Sequence, residues 1–65
     1  MSWEVELQGW QNLGGQVFEG GIFPDRQSAL NYVNVLMEET DDWLVGHITL
    51  FDDKGQIDGE WTLEG

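Results

Sequence analysis

Apolar and polar residues alternate over residues 3–9, with Trp3, Val5 and Leu7 on one side and Glu4, Glu6 and Gln8 on the other. That two-residue period predicts a half-buried strand. Gln11-Asn12-Leu13-Gly14-Gly15 then supplies turn residues able to take positive φ, and residues 16–23 resume an extended, aromatic and β-branched pattern. Together they predict a hairpin. Pairing Leu7 with Phe18 and Trp3 with Ile22 sets apolar against apolar and leaves Glu6 opposite Glu19. A slip of one residue would bury Glu19, so the first register is expected. Gly20-Gly21 weakens the end of the second strand and marks a place for a bulge.

Pro24-Asp25 opens a helix, because aspartate caps free amides and residues 26–39 contain no glycine or proline. At helical spacing Ala29, Leu30, Val33, Leu36 and Met37 form one apolar stripe, while Val35 points away and Tyr32 lies at the flank. Glu38 and Glu39 stand at the negative end of the helix dipole, and Asp41-Asp42 continue the acidic run past Thr40.

Residues 43–51 and 56–63 predict a second hairpin around Asp52-Asp53-Lys54-Gly55, with the glycine in the left-handed position. If Phe51 pairs with Gln56, then Leu50 meets Ile57, Ile48 meets Gly59, Gly46 meets Trp61 and Leu44 meets Leu63 on one face. The opposite face then receives Trp43, Val45, His47, Thr49 and Phe51 beside Asp58, Glu60 and Thr62. That face is aromatic and acidic.

Two hairpins separated by one helix predict an α+β fold of ββαββ order, a two-layer sandwich in which a four-stranded sheet carries one helix on one face. A β-grasp-like strand order is favoured. It would set the first and last strands together at the centre, so that Glu4, Glu6, Asp58 and Glu60 converge on the helix-free face. Gly59-Glu60-Trp61-Thr62 resembles a stretch of the immunoglobulin-binding domain of protein G, which also has ββαββ order. There the stretch belongs to the third strand and here to the fourth, so no functional residue is carried across.

Charge changes the picture more than length does. Thirteen carboxylates against two basic residues, Arg26 and Lys54, give a formal charge of -11 on 65 residues. So much like charge opposes compaction. A hydrophobic share of 40% with four tryptophans nevertheless separates the chain from disordered acidic tails. We expect one small acidic domain, residues 1–65, near the lower size limit for a self-sufficient core. Without cysteine there is no disulfide and no thiolate metal site. Met1-Ser2-Trp3-Glu4-Val5-Glu6 has neither the basic start nor the apolar run of a signal peptide, and no stretch reaches the roughly 20 apolar residues of a membrane span. A cytoplasmic location is expected. The charge argues against direct binding to nucleic acid or anionic lipid, both of which recruit lysine and arginine.

Catalysis finds little support. His47 is the only histidine, and in the register above it faces Glu60, as an ordinary charge-assisted pair on an exposed sheet would. Residues 51–58 superficially resemble part of an EF-hand loop. Aligning Gly55 with the required glycine, however, puts Leu50 at the first ligand position, Lys54 at the fifth and Trp61 at the twelfth. Gly14-Gly15 and Gly20-Gly21 are not followed by the lysine of a phosphate-binding loop. No catalytic residue, cofactor or metal is expected.

What remains is a binding surface. Carboxylates two apart on a strand share a side at about 6.7 Å spacing, so Glu4 with Glu6 and Asp58 with Glu60 would form rows of negative charge, extended by Glu19, Glu64 and Asp42. Such rows suit the basic groove of a nucleic-acid-binding protein, with Trp43, Phe51 and Trp10 as aromatic anchors. The sequence therefore points to a noncatalytic protein-binding module: a small acidic inhibitor that mimics nucleic acid and blocks a nucleic-acid-binding enzyme or defence complex. In size and charge it resembles phage-encoded anti-restriction and anti-CRISPR proteins. The competing reading is a structural accessory or homo-oligomeric interaction protein, a homodimer included, built on exposed Trp43, Val45 and Phe51 or on a sheet edge.

Overall fold

The computed structural model describes residues 2–38 and 43–64, in which the chain runs β1 (Trp3–Gln11), β2 (Gly15–Phe23), α1 (Arg26–Glu38), β3 (Trp43–Phe51) and β4 (Ile57–Glu64). The four strands form one antiparallel sheet in the order β2-β1-β3-β4, and the fold is α+β. The acidic run of Glu39, Asp41 and Asp42 lies outside the described residues.

The expected neighbouring of the first and last strands is not found: β1 lies beside β3, and β4 is an edge. Composition explains the difference. Between Trp43 and Phe51 the chain has no carboxylate, and Ile48 and Leu50 are fully buried, as are Val5 and Leu7 on β1. These two strands profit most from a neighbour on each side. By contrast β4 carries Asp58, Glu60 and Glu64, whose hydration an edge position preserves.

One face of the sheet is covered by α1, which lies against β1 and β2. Ala29, Val33 and Leu36 bury into a core shared with Val5, Leu7, Trp43, Ile48, Leu50 and Leu63, while Leu30, Tyr32 and Met37 pack at its margin. The helix begins where Asp25 caps it: its carboxylate accepts the Ser28 amide at 2.7 Å, and the Ala29 amide bonds the Asp25 carbonyl at 3.2 Å.

Both hairpins take registers other than the expected ones. In the first, Leu7 stands opposite Glu19, Trp3 opposite Phe23 and Glu6 opposite Gly20, a slip of one residue. Gln11 pairs with Gly15, leaving the three-residue loop Asn12-Leu13-Gly14, and Gly15 takes the left-handed φ of 72° that closes such a loop. The slip turns Phe23 toward the helix, where its ring meets Tyr32 with centroids 5.1 Å apart. Glu19 does arrive on the helix-covered side, yet it stays exposed because β2 is the outermost strand there.

The second hairpin is shifted by two residues over most of its length, with Gly46 opposite Leu63, Ile48 opposite Trp61 and Leu50 opposite Gly59. A shift of two preserves which face each residue occupies, so Ile48, Leu50 and Leu63 still reach the core. Asp52 sets the longer loop: its Oδ1 accepts the amides of Lys54 at 2.8 Å and Gln56 at 2.9 Å. The glycine beneath Trp61 is accordingly Gly59, and not Gly46 as expected.

Candidate functional site

The helix-free face of the sheet is open, and the ladder fixes its layout. Four rows cross it from β2 through β1 and β3 to β4. They read Ile22, Glu4, Phe51, Ile57; then Gly20, Glu6, Thr49, Glu60; then Phe18, Gln8, His47, Thr62; then Gln16, Trp10, Val45, Glu64. Alternation along each strand puts all these side chains on the side away from α1. Phe18 and Ile22 are 68% and 73% exposed, and Trp10, Val45 and Ile57 are also largely open.

Of the residues expected to meet a partner, this face holds Glu4, Glu6, Glu60 and Phe51, together with Trp10 and Glu64. Three others are elsewhere. Glu19 points to the opposite side of the sheet, as the slipped register requires. Trp43 is 2% exposed and belongs to the core. A bulge between Trp10 and Gln11 pairs Gln11 with Trp43 and leaves Leu44 as the extra residue, so Trp43 turns inward and Leu44, 60% exposed, turns out.

Asp58 is the third correction. The register of β4 breaks between Leu50 and Phe51, which leaves Asp58 unpaired in a bulge. Its Oδ2 accepts the Arg26 Nε–H at 3.0 Å, across to the first residue of α1. The expected row of Asp58 with Glu60 is therefore broken, and Asp58 is already neutralised within the chain.

Glu4 and Glu6 remain as the acidic centre. Among the described residues the ion pairs are Arg26 with Asp58 and His47 with Glu60, the latter at 3.8 Å between Nε2 and Oε1 on half-exposed side chains. Among the described residues no base is paired with Glu4 or Glu6. Beside them, Ile22, Phe51 and Asp53 help to line a shallow, open hollow of about 400 Å³. His47 and Glu60 sit on the β3–β4 strand pair beside Thr62 and Thr49, and His47 also borders an open hollow of about 220 Å³ with Gln8, Trp10, Gln16 and Val45.

Sequence reasoning missed Phe18 and Ile22, because it took them for inward-facing residues. The signal that would have found them is the turn: with Gly15 as the left-handed residue, a three-residue loop dictates the slipped register. Among the described residues no group of three or more His, Asp or Glu is placed to hold a metal ion, and no helix is long and apolar enough to cross a membrane. Compared with known proteins, the chain matches no family model, no curated protein and no solved structure.

Proposed function

We propose that this chain is a noncatalytic protein-binding module whose open sheet face occupies the basic, nucleic-acid-binding surface of a partner protein. It thereby acts as a small acidic inhibitor that competes with nucleic acid. The observation that supports this reading is the setting of Glu4 and Glu6: two carboxylates on an inner strand, paired with no base among the described residues, with exposed Ile22 and Phe18 on one side and Phe51 on the other. Carboxylates flanked by exposed apolar side chains are the composition of a surface that gains affinity from burial, and on-rate and selectivity from its field. The chain's formal charge of -11 makes a basic counterpart the complementary one.

Pull-down of the tagged protein from its native extract at low and high salt tests this, provided the retained protein is then assayed for nucleic-acid binding. The expected result is a salt-eluted protein that releases its nucleic acid when this chain is added, and that is no longer retained by the Glu4→Lys, Glu6→Lys double variant. Retention unchanged by the double reversal would sink the proposal. The same exposed Phe18 and Ile22 favour a second reading, a homo-oligomer or structural accessory sealed through this face. That association would survive added salt.

A further inference from the structure

The two edges of the sheet are built differently. Edge strand β4 is bulged at Asp58 and carries three carboxylates, devices that discourage another strand from pairing. Edge strand β2 is less protected, with no bulge and one carboxylate, Glu19, in place of three. It runs for nine residues in unbroken register with β1, contains neither proline nor lysine, and holds a single charge, Glu19, at its midpoint. Beside Glu19, Gly20 and Gly21 have no side chain to keep another backbone away.

Charge decides what this edge accepts. A second copy pairing antiparallel along the whole of β2 would centre on Glu19 and set two glutamates directly opposite each other, between molecules that each carry a formal -11. A strand with lysine or arginine at that point meets the reverse situation. We propose that β2 is a docking edge for an extended segment of the partner, which adds as a fifth, antiparallel strand with a basic side chain opposite Glu19. Its alternate apolar side chains extend the open face beside Phe18 and Ile22. This rests on the reading of the partner as a basic protein, and it assigns the backbone geometry by which that protein is held.

The test uses the full chain and a capped nonapeptide with valine at its even positions, threonine at its odd ones and lysine at the fifth. Paired antiparallel and centred on Glu19, its valines fall opposite Phe18 and Ile22. NMR titration should shift the β2 amides and slow their exchange, with binding roughly tenfold tighter than for the same peptide with glutamate at the fifth position. Methylating alternate peptide amides should abolish binding. Glu19→Lys should reverse the preference between the two peptides while the chain stays folded, since Glu19 is exposed. Shifts confined to the open face, an unchanged preference in Glu19→Lys, or β2 protection that grows with protein concentration in the absence of peptide would each overturn the docking edge. None of these results depends on Glu4 or Glu6, so salt-sensitive capture that is lost on their reversal can stand when the edge fails, and the edge can stand when capture fails.

Discussion

The indole of Trp43 packs on Gly46: a Cβ built at Gly46 would lie 3.3 Å from the ring and equally close to Leu63. Both neighbours are buried and held by the core, so neither can move aside without strain. Gly46→Ala should cost about 1–3 kcal/mol, read as a lower urea midpoint at unchanged slope. Leu44→Ser, one residue from Trp43, should stay within about 0.5 kcal/mol, because the bulge has turned Leu44 to water. The opposite ranking would mean that strict alternation, and not the bulge, governs the start of β3.

This inversion also marks the limit of what was legible. Periodicity located all four strands and the helix, and Ala29, Val33 and Leu36 lie on the stripe it assigned. Alternation, however, carries no information about where one strand gains a residue over its neighbour. Trp43 and Asp58 were both misplaced at bulges, where a single extra residue breaks the alternation locally. Strand order failed for another reason: the β-grasp-like arrangement was favoured for its ββαββ order, although it would bring Glu4, Glu6, Asp58 and Glu60 together. An acid-free β3 lying between β1 and β4 keeps those carboxylates apart. Glu4 and Glu6 lie on the helix-free face, as expected, because β1 alternates without interruption from Trp3 to Trp10.

The helix cap gives the chain an acid-sensitive contribution. The Ser28 backbone amide, helped by the Ser28 hydroxyl and the Gln27 amide, holds the Asp25 carboxyl below its ordinary value of 3.8. A depressed folded value means that the cap stabilises fully above the unfolded value and loses its effect as pH falls through the folded one. Asp25→Asn retains an acceptor for the amide but cannot titrate. Urea midpoints of the two proteins should therefore differ most near neutrality and converge as pH falls through the depressed folded value. A difference that stays constant through the acid range would show that the cap does not prefer the charged carboxylate.

Asp58 separates stability from binding. Its pairing with Arg26 is half-exposed, so a double-mutant cycle of Arg26→Ala and Asp58→Ala should give a coupling below about 1 kcal/mol. Because that carboxylate is engaged with the helix, Asp58→Asn should leave retention of a basic partner intact while Glu6→Gln weakens it. Equal losses from the two substitutions would return Asp58 to the binding face, and with it the unbroken acidic row.

Phe18 and Ile22 test whether the open face is surface or core. Each has most of its area in water, so Phe18→Ser and Ile22→Ser should change stability by no more than about 0.5 kcal/mol, against about 2–5 kcal/mol for Leu7→Ala on the covered side. Under the proposed function the same two substitutions should weaken partner binding at high salt as well as low, since they remove buried apolar area and leave the field of Glu4 and Glu6 unchanged. Reversing those glutamates should instead act chiefly at low salt and on the association rate. If the serine variants bind as tightly as the parent, the carboxylates act without apolar anchors, and the face works by electrostatic attraction alone.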